Sequence, residues 1–164
     1  MNGTPPLSQD QLKRAGLSER QAKYALGLLV KVARVMEEAP TIGFPSEVVP
    51  LLADIRDQQK EHFVCFYLNA RLQVVHKEVI SIGSLSATIV HPREVFGCAL
   101  RQSQGVASII LAHNHPSGDV SPSKDDVELT GRMVKAGQIM GIEVLDHLII
   151  GATGFLSLKE KGLM

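Results

Sequence analysis

The chain has 164 residues, 45% of them hydrophobic, with 17 Lys and Arg balancing 17 Asp and Glu. That suffices for one domain with a real core plus a small appendage, and the zero net charge removes any global electrostatic case for nucleic-acid or membrane surfaces, leaving local patches only. No apolar run reaches the length of a membrane span and the N-terminus MNGTPPLSQDQ lacks an apolar signal core, so a soluble, cytoplasmic protein with no membrane partner is expected.

Residues 7–38 read as helical. Ser8 with Gln11 and Ser18 with Gln21 are S-x-x-Q capping signatures, the first opening a short helix and the second a long one. The long helix sets Ala22, Ala25, Leu26, Leu29, Ala33 and Met36 on one face. Residues 12–34 also carry Lys13, Arg14, Arg20, Lys23, Lys31 and Arg34 against a single acid, Glu19. This reads first as an ordinary solvated face, with no aromatic platform beside the lysines, and second as basic helices able to meet DNA. APTIGFPS, residues 39–46, is a Pro/Gly linker. SEVVPLLADIRDQQ then reads as a helix start with Pro50 in its first turn.

From residue 62 the pattern changes. HFVCFYLNARLQVVHKEVISIGSL holds two extended runs separated by LNAR, a hairpin signal. HPREVFGCALRQSQG is a short helix ended by Gly105. VASIILAHNH is a continuous apolar run, as expected for a strand buried on both faces. SKDDVELTGRMVKAGQIMG is a helix with Val127, Thr130, Met133, Val134, Gly137 and Met140 toward the core, and IEVLDHLIIGATGFLSLKEKG closes with two strands. The order β-β-α-β-α-β-β predicts an α/β (α+β) fold, a mixed sheet sandwiched by helices. Cys65 and Cys98 sit in apolar surroundings and read as small core residues, not as a disulfide or ligands.

Residues 107–130 carry the chemistry. His113 and His115 are two apart, so in a strand their rings share one side and can converge on an ion. They end a strongly apolar strand, and strand ends in α/β sheets are where sites tend to be built. Ser123 is a natural N-cap for the next helix, with Asp126 at N3. Capping at the positive end of the helix accounts for those two residues but not for the histidines. Two histidines and one first-turn carboxylate match the three protein ligands of a catalytic zinc site, which keeps one position open. The water used there needs a base. Glu78 is the best candidate, a carboxylate inside a β-rich run; its alternative reading is a solvent-facing residue on an edge strand.

Glu78, then His113-Asn114-His115, seven residues, Ser123, two residues and Asp126 resemble the JAMM signature E…H-x-H-x7-S-x2-D of JAB/MPN-type metalloproteases. HKEVISIGSLSATIVHPREVF, ASIILAHNHPSGDVSPSKDD and DHLIIGATGFLSLKEKGL resemble the RadC family, also called UPF0758, over about residues 46–164. The resemblance implies a JAB/MPN (cytidine-deaminase-like) zinc metalloprotease domain at 46–164, after an N-terminal helical region at 1–40. It implies Zn²⁺ held by His113, His115 and Asp126. Glu78 would be the general base toward the attacking water and then proton donor to the leaving amine, and Ser123 would stabilise the oxyanion. The x7 and x2 spacings select Asp126 over Asp125. The helix agrees, since adjacent residues point about 100° apart and only one can face the histidines. The implied activity is hydrolysis of a peptide or isopeptide bond in an unidentified peptide or protein substrate.

RadC-family proteins usually begin with a helix-hairpin-helix region associated with DNA binding. LKRAGLSERQAKYAL is similar to the second half of such a motif, but Gly16-Leu17-Ser18 stands where glycine-hydrophobic-glycine is typical. The missing glycine would let backbone amides approach a phosphate, so its replacement weakens phosphate binding here. With about 45 residues before the JAB-like part, a truncated N-terminal region is what the family leads one to expect. Three functions therefore compete. One is a zinc-dependent peptidase or isopeptidase, and another a DNA-repair or DNA-processing protein using the same metal site. The third is a metal-stabilised interaction module, against which Glu78 argues because a structural zinc needs no base. Among smaller features, His147 beside Asp146 reads as a sheet residue held by a neighbouring hydrogen bond, or else as a support behind the metal ligands. Asn114 should point away from the ligands. Ser117 and Asp119 read as turn-forming, and His62, His76 and His91 have no evident partner. The oligomeric state is open, a dimer included.

Overall fold

Both capping signatures form. The computed structural model describes residues 8–36, 39–83, 90–102 and 105–164, with backbone alone for residues 9 and 29–36. Helix α1 (Gln9–Arg14) opens on a reciprocal box: Ser8 N–H donates to Gln11 Oε1 at 2.7 Å and Gln11 N–H to Ser8 Oγ at 3.3 Å. Helix α2 (Glu19–Met36) opens the same way on Ser18 and Gln21, at 2.9 and 3.4 Å. On its predicted apolar face Ala22 is buried and Ala25 and Leu26 are half-buried; the side chains of Leu29, Ala33 and Met36 lie outside the described residues. The chain divides into two compact units, Met1–Glu38 and Ala39–Met164.

The second unit is built on a five-stranded mixed sheet in the order β2-β1-β3-β4-β5. Strands β1 (His62–Leu68) and β2 (Val74–Ile82) form the antiparallel hairpin. Asn69 makes its turn, Oδ1 accepting from the amides of Arg71 and Gln73 at 2.9 and 3.1 Å. Strand β3 (Ser108–Asn114) is buried along its whole length, antiparallel to β1 and parallel to β4 (Glu143–Ile150). The short β5 (Phe155–Ser157) closes the far edge against β4. A parallel pair needs a long crossover, and helix α5 (Lys124–Met140) supplies it.

Alternation along the strands divides the core in two. On one face Phe63, Cys65, Tyr67, Ile109 and Leu111 pack against Val95, Phe96 and Cys98 of helix α4 (Pro92–Arg101) and Leu129 and Met133 of α5. On the other, Val64, Phe66, Ile110, Ala112 and Leu148 meet Val48, Leu52 and Ile55. The layered α+β arrangement is the one expected.

Four local readings change. Residues 46–59 are not one helix but two 3-10 turns, Pro45–Glu47 and Val49–Leu52, and a short α3 (Ala53–Arg56). Pro50 has no N–H to donate and its ring crowds the preceding turn, so no continuous helix spans it. The linker is stitched to the hairpin: Ile42 N–H donates to Leu72 O and Val74 N–H to Pro40 O, both at 2.9 Å. Helix α4 ends at Arg101, before Gly105. On α5, Leu129 is fully buried while Met140, the last helical residue, is 40% exposed. Residues 84–89, the first two of which end the second extended run, lie outside the described residues. Among the described residues no helix is long and apolar enough to cross a membrane.

Candidate metal centre

The end of β3 delivers the histidine pair and the first turn of α5 delivers the carboxylate. His113 Nε2 and His115 Nε2 stand 2.9 Å apart. Asp126 Oδ1 is 3.4 Å from the first and Oδ2 is 3.7 Å from the second. His113 is wholly buried, Asp126 is 2% exposed, and Phe63 stacks on the His113 ring at 6.4 Å. The three side chains form one group able to hold a metal ion.

Hydrogen-bond direction fixes which ring nitrogens carry protons. His115 Nδ1 lies 2.7 Å from the carbonyl of Asp119, which can only accept, so Nδ1 carries a proton and Nε2 is the nitrogen that can ligate. For His113 the argument runs through a relay. The Thr130 hydroxyl donates to the carbonyl of Asp126 at 2.6 Å, so toward His147 Nδ1, at 2.5 Å, it accepts. His147 Nδ1 therefore bears the ring proton and Nε2 accepts from His113 Nδ1 at 2.9 Å. Burial, then the neighbouring His113, holds the His147 imidazole well below the usual range. Burial, followed by His115, lowers His113 to about 3. The two Nε2 atoms and the Asp126 carboxylate therefore converge on one point. That donor set calls for a cation and fits the N/N/O set of a three-ligand zinc site.

Asp126 also closes the cap of α5. Its Oδ2 accepts from Ser123 N–H at 2.7 Å and Ser123 Oγ–H at 2.6 Å, while Asp126 N–H donates to Ser123 Oγ at 3.1 Å. Asp125 is exposed. Capping and ligand geometry thus share one carboxylate, with Oδ1 left for the histidines.

Glu78 lies on edge strand β2, in one row across the sheet with Cys65, Leu111 and His147. That row faces the same side as His113, one step back along β3 and about 10 Å across two strand spacings. Its side chain is 47% exposed, and Oε2 bonds His76 Nε2 at 2.8 Å. It therefore sits on the same face as the ligands without touching them.

Other residues find partners. Asn114 turns away from the ligands: Oδ1 accepts from His62 N–H at 2.7 Å and Nδ2 donates to the carbonyls of Gln58 and Lys60, both at 3.1 Å. The Ser117 hydroxyl accepts from Asp119 N–H and the Asp119 carboxylate from Ser121 N–H, which shapes the turn after His115. His62 Nδ1 meets Lys60 O, and His91 caps α4 through Nδ1. Sequence reasoning missed the bond from His76 to Glu78, although i and i+2 on a strand share a side. It also took Thr130 for a plain core residue, although the residue four after Asp126 on a helix lies directly above it. An apolar hollow lined by Ile42, Phe44, Leu72, Ile110 and Leu145 among others opens on the opposite face of the sheet and holds none of these groups.

Residues 42–163 match the family model described as a RadC-like JAB domain. A UPF0758 protein of Bacillus licheniformis is 54% identical over 124 residues, 75% of this chain and 54% of that protein. A UPF0758 protein of Bacillus cereus strain G9842 is 59% identical over 112 residues, 68% of this chain and 49% of that protein. The chain spans about half the length of these curated relatives.

Proposed function

Because the chain belongs to the family of RadC-like JAB domains, we propose that it is a cytoplasmic zinc-dependent hydrolase of JAMM type that cleaves a peptide or isopeptide bond. The observation that carries this reading is the pair of Nε2 atoms, 2.9 Å apart and backed by a buried carboxylate. His113 and His115 would hold the ion through Nε2, and Asp126 through its carboxylate. When bound, zinc polarises the scissile carbonyl and acidifies the attacking water. Glu78 takes the proton of that water and returns it to the leaving amine, and it leaves His76 to do so. Ser123 donates its hydroxyl to the developing negative charge on the carbonyl oxygen, exchanging its present bond to Asp126 Oδ2. The buried relay through His147 and Thr130 keeps His113 in the tautomer that can ligate.

The test is a panel of peptide, isopeptide and nucleic-acid substrates offered to zinc-loaded wild type and Glu78→Ala. Wild type is expected to cleave an amide, and Glu78→Ala to keep its metal and lose hydrolysis. Metal content should fall in His113→Ala and Asp126→Ala. Undiminished metal in those two variants, or full activity in Glu78→Ala, refutes the assignment.

A second reading, a DNA-repair or DNA-processing role of RadC type, has support in the N-terminal unit. Arg20, Gln21, Lys23 and Tyr24 line one hollow, and Tyr24 is 75% exposed. An aromatic surface does accompany the basic residues, contrary to the sequence expectation, and such pairs suit stacking of bases. Lys13 is already paired with Glu19 at 3.3 Å, and the side chains of Lys31 and Arg34 lie outside the described residues. Under this reading binding to single strands weakens steeply with salt and further in Tyr24→Ala. Salt-insensitive binding, or none, removes it.

A further inference from the structure

A second group of candidate ligands meets between β2 and α4, apart from the histidine–aspartate centre. His76 and Glu78 are two apart on β2 and project from one side of it. Cys98 projects from α4, its thiol free and the residue 4% exposed. One ligand atom from each of the three lies within 4.8 Å of the other two. We propose that His76, Glu78 and Cys98 form a second site for a thiophilic divalent ion such as Zn²⁺, and that its occupation withdraws Glu78 from the first centre.

The donor chemistry sets the ion class. Imidazole, carboxylate and thiolate together suit zinc or cobalt and not magnesium or calcium, which take oxygen ligands. The ligands are held in place by their neighbours. The Tyr67 ring stacks on His76 at 5.7 Å with 29° between the planes, and its hydroxyl donates to Val95 O at 3.0 Å, tying β1 to α4 behind the group. Gln102 Nε2 donates to Cys98 O at 3.3 Å and to Cys98 Sγ at 3.4 Å, which fixes the sulfur on its helix. His76 and Glu78 are 35% and 47% exposed, so an ion reaches them from solvent and keeps a water. A thiol buried behind two exposed donors is how a surface ion site gains selectivity over an ordinary His–Glu pair.

Glu78 is a ligand of this group and the proposed base of the first centre, and it cannot serve both at once. Its Oε2 already lies against His76, and an ion bound there would keep the carboxylate turned away from His113. Excess zinc is therefore expected to inhibit the hydrolase, a consequence that rests on the proposed role of Glu78 as base. The site itself does not depend on that role.

The test is a cobalt titration of metal-stripped, reduced protein, read by absorption, with zinc stoichiometry measured in parallel. Wild type is expected to take up two ions and to develop a near-ultraviolet thiolate-to-cobalt charge-transfer band. His113→Ala should lose one ion and keep the band, because the first centre has no sulfur ligand. Cys98→Ala should lose the band and one ion; His76→Ala should weaken the band and serves if the cysteine variant is unstable. A wild-type protein that binds one ion without the band overturns the proposal, as does a band that survives in Cys98→Ala. Where a peptide is cleaved, excess zinc should suppress wild type and leave Cys98→Ala active; equal suppression of both overturns the inhibitory consequence. A protein that hydrolyses nothing at any zinc load, yet shows the band, refutes the hydrolase reading and keeps the site.

Discussion

His147 does not touch the point where His113, His115 and Asp126 meet, yet its bonds set which nitrogen of His113 is turned toward it. Its Nε2 accepts from His113 Nδ1 only because Thr130, committed to the carbonyl of Asp126, forces the ring proton onto Nδ1. Removing such an orienting partner typically lowers metal affinity about 10–100-fold. A loss of that size is expected for His147→Ala in competition with a chelator, with partial recovery in His147→Gln, whose amide can accept from His113 and donate to Thr130. Unchanged affinity in His147→Ala would show that the relay does not set the ring. The pair His113 and His115 was legible in the sequence because spacing alone puts i and i+2 on one side of a strand. The bond to His147 was not legible. It crosses the parallel pairing of β3 with β4, where Leu111 stands opposite His147, and no local pattern reports which strand lies beside which.

At the level of elements, the start of α5 does two jobs that can be separated. Ser123 caps the helix and is proposed to donate to the carbonyl oxygen of the substrate. Ser123→Ala is expected to cost about 1 kcal/mol of stability and to slow turnover. Asparagine caps as well as serine but has no hydroxyl, so Ser123→Asn should restore the melting temperature without restoring kcat. Recovery of both would reduce Ser123 to a cap. The C-terminal half of α5 is set by contact with β4. A Cβ on Gly137 would stand 2.4 Å from Ile142 O and 3.2 Å from Val144 Cγ2. Alanine favours the helix by about 1 kcal/mol over glycine, but here it drives α5 off the strand that carries His147. Gly137→Ala is expected to destabilise by about 1–3 kcal/mol in urea unfolding; a gain in stability would mean that the helix shifts freely. Long periodic segments such as α2, β3 and α5 were readable because one pattern repeats over many residues. Residues 46–59 were not, since Pro50 fits the first turn of a helix and a break between 3-10 turns equally well. The exposure of Met140 was also hidden: a helical wheel gives direction around the axis, not the place where the helix runs out at Gly141, whose φ of +67° turns the chain toward β4.

For the molecule as a whole, the order of elements along the chain foretold a mixed sheet between helices, but not that β1 would lie between β2 and β3, which puts Glu78 two strands from His113. The burial of His113 and His147 links the centre to global stability. In the metal-free fold burial, which disfavours the charged ring, pushes His113 down to about 3 and holds His147 well below the usual imidazole range. In the unfolded chain both return to about 6.5. Between these limits the unfolded state binds more protons than the folded one, so stability rises with pH. The contribution is present in full above about pH 6.5 and is lost as pH falls toward the folded values. With two such groups the slope reaches about 2.7 kcal/mol per pH unit. Urea midpoints of metal-stripped protein should therefore be level near neutral pH and drop progressively on the acid side, and His147→Gln should reduce the slope to about 1.4 kcal/mol per pH unit. Zinc should raise the neutral plateau and make the acid loss steeper, because protons and the ion compete for the same nitrogens. A midpoint that stays flat as the pH falls from neutrality through the unfolded histidine range would mean that these imidazoles charge inside the folded protein, and the relay that leaves the His113 lone pair free for a metal could not then be in place.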